Sequence, residues 1–237
     1  MSKVPVAPVQ TDPKTRKRVV AIDGPAGAGK STVARALAAA LGWSHLDTGA
    51  MFRAVTLRLL ESGLDAPFCD TRVAGLLASM RIVMDEAGHV SVDGVDVTAR
   101  LREPRVDAAV SAVAALGAVR RKLCDAQRAF AEGRAVVAEG RDIGTVVFPD
   151  AGFKIWLDAS VEERARRRHA DFVAAGREAS VLAVGEDIRR RDQSDASRAI
   201  APLQRATDAI VVDTTGLSVA QVVERLQAIV RAAGGSR

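Results

Sequence analysis

The chain has 237 residues, a net charge of +5 and an apolar fraction of 48%, enough for one compact domain carrying an insertion. Aromatic residues make up only 3% and Tyr is absent, which argues against a stacking platform for single-stranded nucleic acid. Two cysteines, Cys69 and Cys124, and three scattered histidines, His45, His89 and His169, form no disulfide framework or zinc pattern and fit a reducing, cytoplasmic setting.

In chain order, residues 1–17 carry Pro and basic residues but no apolar core, so they read as a disordered tail and not as a secretory signal. No apolar run reaches bilayer length. Arg18 to Asp23 (RVVAID) reads as a buried strand, followed by a Gly-rich turn. Lys30 to Leu41 has helical apolar spacing and stops at Gly42. Ser44 to Leu46 is a second strand, and Met51 to Ser62 a second helix. Arg81 to Val97 then alternates apolar and polar residues around Glu86-Ala87-Gly88 and Asp93-Gly94 turns, a small antiparallel meander. Val106 to Glu132 reads as helix, and Ala135 to Glu139 and Phe153 to Asp158 as buried strands. Val161 to Ala175 is a basic helix, and a second basic helix lies around Glu186 to Asp192. Ala209 to Asp213 is the last strand, and Ser218 caps a closing helix to Ala232.

Short strands alternating with helices predict a three-layer α/β/α fold: a parallel five-stranded sheet with an inserted small antiparallel β lobe, and a basic helical hairpin that the family resemblance given below implies is a helical lid. The predicted core is 18–64 and 106–237, with the lid at about 162–198 and the inserted lobe at 65–105. Gly176 and Gly185 are expected to flank a flexible lid tip. Ligands on such a sheet bind beyond the carboxyl ends of the strands.

Gly24-Pro25-Ala26-Gly27-Ala28-Gly29-Lys30-Ser31 matches the GxxxxGK[ST] phosphate loop, with Thr32 following. Glycines let backbone N–H groups converge on phosphates, and the next helix turns its positive end to the same anion. Lys30 reaches the β- and γ-phosphates, and Ser31 offers a hydroxyl to Mg²⁺. A phosphate loop alone does not separate kinase from GTPase or ATPase. The chain has no Asn, so the NKxD guanine reader is absent, and no strand obviously ends in paired acids.

Three further segments fall on strand ends or the basic hairpin: Asp47-Thr48-Gly49-Ala50-Met51-Phe52-Arg53, Gly140-Arg141-Asp142-Ile143-Gly144-Thr145, and Arg191-Asp192-Gln193-Ser194-Asp195-Ala196-Ser197-Arg198. Together with the phosphate loop, the GRDxGTVVxPxAxxKxxL stretch from Gly140 to Leu157 and the RDxxDxxRxxxPL stretch from Arg191 to Leu203, they resemble the bacterial cytidylate kinases. The resemblance runs from about Val19 to Ala228.

The resemblance implies a kinase that moves the γ-phosphoryl of MgATP to CMP or dCMP, works as a monomer and has no stable nucleic-acid partner. It implies that Arg53, Arg141 and Arg198 grip the acceptor phosphate. Ser111, Arg120 and Asp142 would read cytosine, with Thr48 positioning the nucleotide. Arg191 and Asp195 would hold the pentose, and Arg164 and Arg167 would contact ATP. Lys30, Arg141, Asp142 and Arg198 form the implied catalytic group. Thr48 and Phe52 depart from the family's common Ser and Tyr. The rival readings are a kinase for UMP, AMP or a shikimate-like acid, and an RNA-binding ATPase favoured by the pI near 9.7.

Overall fold

A computed structural model describes residues 18–174, 176 and 178–232; the predicted tail at 1–17 lies outside them. Five parallel strands form the central sheet: β1 (Val19–Asp23), β2 (Ser44–Asp47), β6 (Val136–Gly140), β7 (Phe153–Asp158) and β8 (Ile210–Asp213). Their spatial order is β2-β6-β1-β7-β8. The central strand β1 is buried on both faces, as its unbroken apolar run requires. In register, Asp23 lies beside Gly140 on one side and Trp156 on the other. The phosphate loop and the Gly140-Arg141-Asp142 turn therefore leave the sheet side by side.

Helices cover both faces. On one, α1 (Lys30–Leu41) and α8 (Val219–Ala232) enclose Val20, Ile22, Leu37, Leu157, Val222 and Leu226. Ser218 caps α8, accepting from the Gln221 N–H at 3.3 Å. On the other face, α2 (Thr48–Glu61), α4 (Pro104–Ala114) and α5 (Gly117–Ala131) bury Met51, Leu57, Val113 and Leu123 against Leu46 and Ala138.

The meander appears as a three-stranded antiparallel sheet, β3 (Ile82–Met84), β4 (Val90–Val92) and β5 (Val95–Asp96). Its β4–β5 turn places Asp93 and Gly94 both at positive φ. Met84, Val90 and Val92 join the same core as Leu57 and Leu59, so this small sheet packs directly onto α2.

Several boundaries differ from the sequence expectations. α2 begins at Thr48, because the Asp47 carboxylate caps it by accepting the Ala50 N–H at 2.9 Å. A helix, α3 (Asp70–Ser79), lies within the segment read only as a β lobe; it buries just Val73 and Leu77, with Leu76 partly covered, too sparse a signal to read. The single helix expected over 106–132 is two, because Leu116 turns extended ahead of Gly117. A π turn, Ile143–Val147, follows Asp142.

The segment expected to be the lid is a hairpin of α6 (Val161–Ala174) and α7 (Val181–Ala196), with Ala165, Val184 and Ile188 as its own small core. Gly185 is buried inside α7, where an added Cβ would sit 3.6 Å from that of Ala165. It does not flank the lid tip as expected: its missing side chain lets the two helices approach. Gly176, just past α6, does lie at the tip.

Candidate active site

One cleft of about 660 Å³ opens at the carboxyl ends of β1, β2 and β6, with residues of α6 and α7 along one side. Its floor is the phosphate loop. Gly24 has φ +152°, and a Cβ there would lie 2.0 Å from the Leu157 carbonyl oxygen on β7, so only glycine lets the chain leave the sheet here. Gly29 and Lys30 then start α1, whose amino end faces the cleft.

Lys30 is buried and donates to the Pro25 carbonyl at 2.6 Å, folding its ammonium back over the loop. Burial pushes it well below the ordinary lysine value; Arg141 and Arg191 act in the same direction, and Glu139 and Asp23 oppose them. Ser31 Oγ donates to Glu139 Oε2 at 2.9 Å. Glu139, next to last in β6, is buried and keeps Oε1 without a hydrogen-bond partner beside His45 Nε2 at 3.5 Å. Sequence reading passed over this residue, because a single Glu in AVVAE does not form the paired acids that were sought. Its signal was its register: Asp47 on β2 and Ile22 on β1 both lie level with it.

Arginines crowd the opposite wall. Arg53 on α2 is buried and donates Nε to Asp107 at 3.3 Å. Arg141 donates Nε to Asp195 and Nη1 to the Gly24 carbonyl, both at 2.8 Å. Arg198 also donates to Asp195, whose side chain is 1% exposed. Arg191 Nε and Arg198 Nε are both buried without a hydrogen-bond partner. Burial, then the nearby charges of Arg141 and Arg53, bring Arg191 down to about 10. Burial lowers Arg53 and Arg198 as well. A wall whose cations are weakened by burial and by one another gains by receiving a phosphate dianion.

Beside this wall, Arg120 on α5 and Asp142 pair through Nη2 and Oδ2, with side chains 8% and 5% exposed. Arg120 Nη1 donates to the Ala114 carbonyl at 3.0 Å, and its guanidinium lies 5.4 Å from the centre of the Phe52 ring. Asp142 makes no side-chain cap on the turn that follows it; Arg120 holds its carboxylate instead. Ser111, Phe52, Val110 and Ala114 line the cleft around this pair. Thr48 donates its hydroxyl to the Glu139 carbonyl at 2.6 Å, leaving its oxygen as an acceptor.

Beneath the turn, the buried Asp23 carboxylate receives the Ile143 and Gly144 N–H groups, each at 2.7 Å. It ends β1 and fastens the strand of the phosphate loop to the segment carrying Arg141 and Asp142. Burial lifts it to about 6, against the lowering effect of those two amides.

Most residues named from the sequence meet in this cleft: Ala26 to Thr32, Thr48, Arg53, Ser111, Arg120, Arg141, Asp142, Arg167, Arg191, Asp195 and Arg198. Gly24, Pro25 and Arg164 do not line it. Gly24 and Pro25 present their carbonyls to Arg141 and Lys30. Arg164, expected to contact ATP, has its guanidinium buried, donating to the Ala159 and Ala26 carbonyls at 3.1 and 2.9 Å and to Asp192. Arg167, one turn on, keeps an edge in the cleft while bonding Glu163 and Thr214.

Among the described residues no helix is long and apolar enough to cross a membrane. A family model for cytidylate kinase matches residues 20–232. A cytidylate kinase of Geobacter sulfurreducens is 48% identical over 219 residues, covering 91% of this chain and 94% of that protein. Another, of Mycolicibacterium paratuberculosis, is 49% identical over 218 residues, covering 90% and 95%. A solved structure of an uncharacterized protein from Eubacterium ventriosum superposes with a TM-score of 0.51 at 10% identity, covering 91% of this chain and 99% of that one, a likeness of fold alone. With a model that spans nearly every described residue, and relatives close to half identical over almost their whole length, the chain belongs to the cytidylate kinase family.

Proposed function

We propose that this protein transfers the γ-phosphoryl group of MgATP directly to the phosphate of CMP or dCMP, giving ADP and (d)CDP. The observation that carries this reading is the Arg120–Asp142 pair, set within one cleft beside the arginine wall and opposite the phosphate loop. Cytosine offers an exocyclic amine next to a ring nitrogen and a carbonyl. Asp142 and the Ser111 hydroxyl accept from the amine, and Arg120 donates to the ring acceptors. Phe52, Val110 and Ala114 give the base an apolar bed. Uracil presents a carbonyl where Asp142 needs a donor, leaving a buried carboxylate opposed by an acceptor.

The acceptor oxygen is already an anion, so no general base is needed. Catalysis is positioning and neutralisation. Arg53, Arg141 and Arg198 hold the acceptor phosphate, with Asp195 fixing the last two. Arg191 and Asp195 hold the pentose, and Thr48 accepts from the nucleotide. Lys30 and the loop amides hold the donor phosphates, with Arg167 at their outer edge. The segment 65–105 supplies Arg102 to the rim, and we read it as the lobe that closes on the acceptor. The 162–198 hairpin is the lid that excludes water, so that ATP is not hydrolysed.

Ser31 and Glu139 fit a Mg²⁺ ion. A hydroxyl and a carboxylate meet at 2.9 Å with one carboxylate oxygen still unpartnered, and no cluster of three ligating side chains occurs among the described residues. That is the sparse protein contribution Mg²⁺ takes when substrate phosphates supply the rest. When bound, the ion neutralises charge on the donor phosphates. A need for ATP supports a cytoplasmic setting.

The test is ADP release with MgATP and CMP, dCMP, UMP, AMP or no acceptor. The two cytosine nucleotides should exceed UMP and AMP by about 10²-fold or more in kcat/KM. A preference for UMP or AMP would overturn the base assignment while leaving the kinase in place.

A further inference from the structure

The α6–α7 hairpin hydrogen-bonds to the phosphate loop at Ala26. Asp192 on α7 accepts the Ala26 N–H through Oδ1 at 2.8 Å. Arg164 on α6 donates to the Ala26 carbonyl at 2.9 Å and, through the same Nη1, to Asp192 Oδ2. An ion pair spanning the two lid helices therefore grips both polar groups of a single loop residue. Arg164 approaches so closely that a Cβ on Gly27 would lie 3.1 Å from its own Cβ. Neither Asp192 nor Arg164 lines the cleft.

Asp192 is flanked on α7 by Arg191 and, one turn on, Asp195, the residues at the acceptor side. Asp195 holds Arg141, and Arg141 in turn donates to the Gly24 carbonyl. The loop is thus tied to the acceptor wall at two points two residues apart, Gly24 and Ala26. A loop set by donor phosphates and an α7 set by the acceptor phosphate then cannot move independently.

We propose that Asp192, with Arg164, is a positioning residue that couples the two nucleotide sites, so that each nucleotide strengthens binding of the other. This rests on the (d)CMP kinase reading. Such coupling is reciprocal, and a factor of about five or more is the expected size.

The experiment is calorimetric titration of CMP into the full chain, with and without saturating Mg·AMP-PNP, and the converse titration, for wild type, Asp192→Asn and Asp192→Ala. In wild type both titrations should give the same enhancement, at about fivefold or more. In Asp192→Ala it should fall to near one, while CMP affinity without AMP-PNP changes less than about threefold, because the arginine wall stays in place. Asn keeps an oxygen for the Ala26 N–H but loses the ion pair, so Asp192→Asn should lie between and remains readable if the Ala variant does not fold. An enhancement of one in wild type, or an undiminished one in both variants, overturns the proposal. Failure of wild type to bind CMP at all would instead remove the kinase reading on which it rests.

Discussion

Replacing Asp23 with Asn removes a buried charge and tests what that charge does. In the folded chain Asp23 titrates at about 6, against an ordinary value of 3.8. The difference is about two units at about 1.4 kcal/mol each, or about 3 kcal/mol. Because the folded value is the higher one, the native state holds this proton where the unfolded chain has released it. Stability from this group is therefore fully present below pH 3.8 and is lost as pH rises through about 6. Asn does not titrate, but it accepts at one atom only, so one of the Ile143 and Gly144 amides loses its partner at a cost of about 1–3 kcal/mol. Urea unfolding of both proteins from pH 4 to 7.5 measures the gap between them. Wild type should lose about 2 kcal/mol relative to Asp23→Asn across that range, the rest of the change lying below pH 4. The loosened turn carries Arg141 and Asp142, so kcat/KM for CMP should also fall, by about ten- to a hundredfold. A gap that stays constant with pH would refute the reasoning, since it would mean that Asp23 is ionised throughout at no cost.

Asp142→Ala leaves Arg120 buried without its carboxylate; chemical denaturation should show a loss of about 3 kcal/mol or more, and the preference for CMP over UMP should shrink by about 10²-fold or more in steady-state assays. Gly24→Ala puts a methyl group against the Leu157 carbonyl, and equilibrium titration should show ATP affinity lost even if the chain still folds. Glu139→Gln keeps an acceptor for Ser31 but removes the charge, so the Mg²⁺ concentration for half-maximal rate should rise about tenfold, and chelation of Mg²⁺ should abolish the wild-type activity. Arg191→Gln should raise the KM for CMP more than that for ATP, because Arg191 lines the cleft close to Arg141 and Arg53 with a buried Nε that has no hydrogen-bond partner.

The elements most readable in the chain were those in which one face or both are uniformly apolar: the central strands, α1 and α8. The phosphate loop was readable because its residue types are forced by backbone geometry, as Gly24 shows. What escaped were residues whose meaning lies in register. Asp23 and Glu139 look like ordinary strand ends until the order β2-β6-β1-β7-β8 sets them beside the loop. Asp192 stood in the Arg191–Arg198 stretch with no role of its own, yet its partner is the Ala26 N–H 166 residues away. Arg164 shows the converse: a basic cluster near a phosphate site promises a ligand contact, but helix spacing turned this arginine under the loop. Gly185 misled for a related reason, since a glycine that permits close helix packing looks in sequence like one that permits bending.

Direct transfer between two nucleotides held in one cleft is the central claim, and labelled phosphate follows it most closely. The enzyme would be given ATP labelled at the γ-phosphoryl, Mg²⁺ and CMP, and the products separated. Label recovered as the terminal phosphate of CDP, with little free phosphate when CMP is omitted, is the predicted result. Label released as inorganic phosphate at the same rate with and without CMP would contradict it, and would point to an ATPase on the same fold.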